Sequence, residues 1–439
     1  MNNDQKVVDN SALYSVKDMN VGKVILLGMQ HTFAMFGATV LVPLLTGLSV
    51  STTLLMAGLG TLLFHAITKR KVPAFLGSSF AFLGGYAAVA PLIDGQPNVE
   101  MLPYASGGVL VAGLVYVVLA ALIKLFGVKK VMRFFPPVVT GPIIISIGLI
   151  LAPSAINNCQ QNWILALIAL GVIIICNIWG KGMIKIIPIM LGIMVSYVFA
   201  MIMGEVDFAS IAAAKIWEFP VHPASFAKFD ISAVITIVPI ALATMMEHIG
   251  DISAIGATTG KNYIASPGLH RTLIGDGLAT SLSALFGGPA NTTYGENTGV
   301  LALTKVYDPI VMEIAAVFAI ILSFFPVVAN LISSIPAAII GGVSLILYGM
   351  ISAIGIRNVV ENHIDFTQSR NLIIAAVILV SALGLNGIGG ISFAVAGTTI
   401  TLSGLAVAAI SGILLNAILP GNDYEFEVEE EHDELTFKL

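Results

Sequence analysis

The chain has 439 residues, 57% hydrophobic and only 10% charged, where a globular domain carries about 25% charged residues. A soluble protein of this size cannot bury a dozen apolar runs, because apolar area outgrows the core that hides it, so a large soluble α/β enzyme is set aside. The formal net charge of −5 sits mostly in residues 423–439, which hold eight acids and one lysine, so the remainder is near neutral and carries no basic patch for nucleic acid.

The first 20 residues are polar and mixed in charge, without a basic region feeding a short apolar core, so no leader peptide is expected. Apolar segments then recur at 24–47, 50–68, 80–92, 104–127, 136–153, 162–179 and 186–204. A more polar stretch, 205–230, separates these from 231–255, 272–286, 296–307, 309–332, 335–355, 370–384 and 395–418. Many approach the roughly 20 residues that span a bilayer. The expected fold is an all-α polytopic membrane protein of fourteen segments. Two cysteines, Cys159 and Cys176, imply no disulfide framework.

Lys69–Lys71, Lys124, Lys129, Lys130, Arg133, Lys181, Lys185, Lys261, Arg271 and Arg357 fall in loops on one side, and Asp94, Glu100, Glu205 and Asp207 on the other. Lys215 and Lys228 run against this pattern, in the longer 205–230 loop. The positive-inside rule then places both termini in the cytoplasm.

Two segments, 80–92 and 296–307, are too short to cross as plain helices. Each is third in its half, and each opens on an extended-looking stretch, GSSFAF (Gly77–Phe82) or NTTYGE (Asn291–Glu296). Seven is odd, so the halves would have opposite topology. Paired interrupted segments in inverted halves point to a transporter with its site at the breaks. The two strands would pair antiparallel and aim helix N-termini near Ala81 and Glu296 at one place.

Ionisable residues inside spans are costly and default to function. Glu296 opens the second half-helix, as a substrate ligand or as a cap. In ALATMMEHIGD, Glu247 and Asp251 are four apart and share a helix face, which makes the pair a candidate for carrying a proton. Asp251 alternatively sits wet at a helix end. In GMQHTFAMFGATVLVP, His31 either ties two helices together or belongs to a proton-coupled network.

QHTFAMFGATVLVP, KVPAFLGSSFAF, EHIGD, PGLHR, NTTYGENTGVLALTKV and GGVSLILYG together resemble the nucleobase–ascorbate, or nucleobase:cation symporter-2, family over about 20–420. Its signature is matched by Glu296, Asn297, Gly299, Thr304 and Lys305. The resemblance is closest to its uracil:proton symporters. It implies fourteen segments in two inverted repeats of seven, with short antiparallel strands in segments 3 and 10. A core domain would comprise 21–133 and 231–332, and a gate domain 134–230 and 333–420. Residues 1–20 and the acidic 421–439 would be cytoplasmic ends.

The resemblance further implies that Glu247 and Glu296 bind substrate, with Phe80, Tyr294 and Gly295 lining the site through backbone, and that His31 supports the core. Asp251 stands where uracil-transporting relatives have a coupling histidine, and an aspartate there is similar to the purine branch. The xanthine-type branch usually has Gln where Glu296 stands.

The expected activity is proton-coupled uptake of uracil across a bacterial cytoplasmic membrane, with Glu247, Asp251 and His31 as proton-coupling candidates. No cofactor beyond the co-transported proton, no metal and no enzymatic step are expected, and a homodimer through the gate domains is implied. No GxxxxGK[ST] motif is present for direct use of ATP. The alternatives are a purine symporter of the same family, and an anion transporter or channel of related fold.

Overall fold

The computed structural model describes residues 12–91, 93, 96–395, 398–421 and 424. Most of the acidic tail and residues 1–11 lie outside the described residues.

The first half contains helices α1 (Val21–Thr46), α2 (Val50–Ile67), α3 (Leu83–Val89), α4 (Leu102–Phe126), α5 (Val128–Met132), α6 (Pro137–Cys159), α7 (Trp163–Trp179), α8 (Met183–Ile186), α9 (Pro188–Met203) and α10 (Ala209–Ala212). Strand β1 (Leu76–Ser78) precedes α3. The second half contains α11 (Ile231–Ile237), α12 (Ile240–Thr259), α13 (Leu269–Leu285), strand β2 (Asn291–Thr293), α14 (Gly295–Thr304), α15 (Ile310–Ser323), α16 (Pro326–Ser333), α17 (Ala337–Glu361) and α18 (Ser369–Gly387). It ends in strands β3 (Ile391–Val395) and β4 (Thr398–Leu402) and helix α19 (Gly404–Ile418).

Local chemistry sets several boundaries. Asn20 and Ser49 accept hydrogen bonds from Gly22 N and Thr52 N, which caps α1 and α2. Gly47 ends α1 in the left-handed region at φ 84°.

Seven helical spans among the described residues are long and apolar enough to cross a bilayer, with α11 and α12 counted as one, Ile231–Thr259. An eighth is added if the pair α15–α16, bent by 87°, is one span. Helices α7, α9 and α19 are apolar but shorter. The protein is a multi-pass, mostly helical membrane protein.

The segment 395–418 departs from expectation. Residues 395–418 read as a single helix, but the structure pairs Ile391–Val395 with Thr398–Leu402 as antiparallel strands β3 and β4 and leaves only α19 helical. Gly389 and Gly390 adopt φ of 83° and 95°, which stops α18, and Thr398, Thr399, Ile400 and Thr401 favour extended backbone.

The helices pack in two groups. In the first, α2 lies against α13 and α15, α4 against α13, and α1 against α15. Gly113 and Gly277 let α4 and α13 approach closely, since a Cβ on either would press on the other's carbonyl oxygen. In the second, α6 runs along α17 and α18, α7 along α9 and α17, and α18 along α19. The two broken segments belong with the first group, at its border with the second.

Candidate functional site

Strands β1 and β2 pair antiparallel, with Leu76 opposite Thr293, Gly77 opposite Thr292 and Ser78 opposite Asn291. Ser79 N donates to Ala290 O (2.8 Å) and Tyr294 N to Phe75 O (3.0 Å), which extends the ladder at both ends. Backbone without helix survives at membrane depth only when buried and satisfied. Helix hydroxyls meet that need on the outer edges. Thr61 of α2 accepts from Leu76 N (2.9 Å) and donates to Leu76 O (3.2 Å). Thr280 of α13 does the same for Asn291 N (3.1 Å) and O (3.0 Å).

The sheet is fixed against α1 by Tyr294. Its hydroxyl donates to Ser78 O (3.0 Å) and accepts from Thr39 Oγ1 (3.3 Å), while Ser78 Oγ donates to Thr39 O (2.9 Å). A Cβ at position 77 would collide with the Tyr294 ring, so only glycine fits there. The Tyr294 side chain is thus a strut, while its backbone N–H is taken by Phe75 O and its carbonyl accepts from Thr298 N. Helix α14 begins at the next residue. Tyr294 makes no side-chain cap bond to it, and Gly295 is exposed with open space where a side chain would be.

Glu296 stands in the first turn of α14, half-buried. Helix α12 packs against both α14 and β2 and carries Glu247 and Asp251. Helix α12 thus sets Glu247 and Asp251 alongside the segment that bears Glu296. Glu247 Oε2 is buried and finds no hydrogen-bond partner among the described residues. Asp251 is not at a wet helix end: α12 continues for two turns to Thr259, and Asp251 Oδ2 accepts from Thr293 Oγ1 at 2.8 Å.

His31 is fully buried in α1. Asn297 Nδ2 donates to His31 O (3.1 Å) and lies 3.2 Å from His31 Nδ1. The carbonyl fixes which way the amide faces, so Nδ1 accepts and the ring proton belongs on Nε2. His31 therefore ties α1 to the turn that bears Glu296.

Sequence reasoning passed over Asp276. It sits in the middle of α13 with no exposed surface, and its Oδ2 is 3.0 Å from Nδ1 of His248, which is equally buried in α12. The signal was present, a lone acid within TLIGDGLATSLSAL, and the cost of a charge inside a membrane span would have flagged it.

Residues 22–391 match the family model described as a permease family. The uracil permease of Bacillus caldolyticus is 44% identical over 94% of this chain and 96% of its own. The uracil permease of Bacillus subtilis is 41% identical, over 92% and 94%. The chain belongs to the nucleobase:cation symporter-2 permeases. Among solved structures, the transmembrane domain of the cyanobacterial bicarbonate transporter BicA superposes with a TM-score of 0.64 at 16% identity, over 86% of this chain and 98% of that one. The murine anion transporter Slc26a9 in its inward-facing state gives 0.63 at 12% identity, over 92% and 69%. At these identities the likeness is one of fold.

In this permease Phe80 lies at the border of the two helix groups. Its ring meets Tyr348 of α17 edge-on, centroids 6.0 Å apart. It also lines a narrow crevice with Ile147 of α6, Ile240 of α12, Asn386 of α18 and Ser403 at the start of α19. The structure thus brings Glu247, Asp251, Glu296, Tyr294, Gly295 and His31 onto one framework of α1, α12, β2 and α14, with Phe80 facing the second helix group.

Proposed function

We propose that the permease carries uracil across the bacterial cytoplasmic membrane together with a proton, by alternating access. The observation that carries this reading is Glu247 Oε2, a buried carboxylate oxygen without a hydrogen-bond partner among the described residues, on the helix that packs against α14 and its Glu296. Uracil offers ring N–H donors and carbonyl acceptors. An ionised carboxylate only accepts, and a protonated one also donates. Two glutamates and the backbone N–H groups at Phe80 and Gly295 answer several edges of one flat ring. A ring lacking those groups leaves the site's polar atoms unpaired, which is the basis of discrimination.

The two packing groups support a core of 21–133 and 231–332 and a gate of 134–230 and 333–420. The way Thr61 serves Leu76 and Thr280 serves Asn291 supports two inverted repeats of seven segments, since each threonine precedes its own strand from the helix before it. In this reading the core rocks against the gate at the Phe80 seam. Protonation of a carboxylate lowers the desolvation cost of occluding the site. The membrane potential adds about 2.3 kcal/mol per charge per 100 mV. Both termini face the cytoplasm, and two copies pair through their gate domains.

A purine symporter is the second reading, favoured by Asp251. Anion transport is opposed by Glu247 and Glu296, which repel an anion. The test is uptake of labelled uracil by cells lacking their own permease, with unlabelled uracil, xanthine, uric acid and thymine as competitors. Uracil should compete strongly and purines weakly. Better competition by xanthine overturns the substrate assignment.

A further inference from the structure

The two helices that carry the site's carboxylates are joined a second time, far from the site. Residues 13–16, ahead of α1, cross the C-terminal ends of α12 and α14. Leu13 forms a parallel bridge with Val306: Leu13 N donates to Lys305 O (2.8 Å) and Tyr307 N to Leu13 O (2.7 Å). Val16 N donates to Asp308 Oδ2 at 2.9 Å. Tyr14 reaches the other helix, where its hydroxyl donates to Thr259 O, at the end of α12, at 2.6 Å. Its ring lies edge-on to Tyr307, centroids 5.3 Å apart, and Lys261 Nζ sits 4.4 Å above its centroid.

Tyr14 is 42% exposed, so burial does not explain so many directed contacts. An aromatic held by a hydrogen bond, an edge contact and a cation at once is fixed in place. Among the described residues, the long-range hydrogen bonds and ring contacts of Leu13, Tyr14 and Val16 all go to 259–261 and 305–308. None reaches α6, α7, α9, α17, α18 or α19, so the strap fastens the C-terminal ends of α12 and α14 to each other.

Helix rise of about 1.5 Å per residue puts the strap roughly 12–15 Å from Asp251 and Glu296. At the site end, α12 meets the broken segment through Thr293 and Asp251. At the far end, Tyr14 closes the same pair of helices. Helix α14 has only ten residues, so a contact at its C-terminal end acts on the turn that bears Glu296.

We propose that Tyr14 is a positioning residue: the N-terminal strap clasps the C-terminal ends of α12 and α14 and so fixes the spacing of Glu247 and Asp251 relative to Glu296. The clasp stays closed while the protein transports. This rests on the assignment of the carboxylates to the substrate site.

The test uses the full chain in liposomes, with uracil counterflow as readout. Tyr14→Ala should raise the KM for uracil roughly two- to tenfold, the worth of one lost hydrogen bond or a little more, and leave the saturating exchange rate within about twofold. Tyr14→Phe should fall between it and the native chain. Adding Leu13→Cys and Val306→Cys allows a disulfide to replace the clasp, since bridged residues lie within its reach and the two native cysteines are buried. Oxidation should restore the KM of the Tyr14→Ala protein, and reduction should remove the rescue.

Hydrogen exchange of residues 295–304 gives a readout without substrate: faster in Tyr14→Ala, slowed again on oxidation. A native KM with unchanged exchange in Tyr14→Ala overturns the proposal. So does loss of counterflow when Leu13→Cys and Val306→Cys are oxidised in the otherwise native chain, because the strap would then have to open. If the native chain shows no saturable uracil exchange, the uracil reading fails, and hydrogen exchange alone decides the clasp.

Discussion

Asp251 accepts a hydrogen bond from Thr293 Oγ1 at 2.8 Å, so a carboxylate of α12 is fastened directly to strand β2. The strand leads into Glu296 three residues later. A change at Asp251 therefore acts directly on the segment that bears Glu296.

If Asp251 relays the proton, Asp251→Asn keeps the acceptor for Thr293 and loses only the titrating group. Uracil binding should persist, and accumulation driven by an inward proton gradient should be lost. Counterflow without a gradient should survive better than net uptake. Normal gradient-driven accumulation would move the coupling role to Glu247 or to the His31 contact.

Glu247→Gln should behave differently. It changes a group proposed both to touch substrate and to carry charge, so binding, counterflow and net uptake should fall together. Reconstitution beside Asp251→Asn at matched pH makes the comparison. Retained uracil binding by Glu247→Gln would place the buried Oε2 outside the substrate site.

Glu296→Gln conserves volume and removes an acceptor-only group. The loss of one charged hydrogen bond should cost roughly 1.5–3 kcal/mol of binding, about tenfold to a hundredfold in affinity. Calorimetry on the purified variant reads it directly. Native affinity would make Glu296 a helix cap and nothing more.

His248 and Asp276 are a buried pair, so removing one partner should cost more than removing both. His248→Ala leaves Asp276 buried without its neighbour and should lower the melting temperature. Adding Asp276→Ala should recover part of that loss. Thermal unfolding in one detergent, run on both variants, checks the order, and equal stability of native and His248→Ala proteins would contradict it.

Gly77→Ala should drive a methyl into the Tyr294 ring. Overpacking of this kind costs about 1–3 kcal/mol. The damage should appear in uracil affinity as well as in melting temperature, because the ring braces the turn before Glu296. An unchanged affinity would show that the strut is not needed for binding.

Much of this was legible in the sequence because membranes impose few choices. Apolar runs marked the spans, and glycine with threonine marked the breaks at Gly77 and Asn291. The cost of charge in lipid marked Glu247 and Glu296. What stayed hidden depended on partners distant in the chain. Asp276 is read as paired only when α13 lies against His248. Strand β4 lay inside the apolar run 395–418 because an apolar run alone does not tell strand from helix. Residues 13–16 passed as part of a polar N-terminal segment, since the Asp308 that binds Val16 lies 292 residues away.

The strand pairing has a consequence for biosynthesis. Tyr294 reaches Ser78 across 216 residues, so at 5–20 residues per second the first strand is made roughly ten to forty seconds before its partner. Through that interval its open edge has Thr61 on one side and no strand on the other. The nascent first half must be sheltered at the insertion machinery, or by its own helices, until the second half arrives. Co-expressing the two halves as separate chains should assemble the transporter, whereas the first half alone should be degraded.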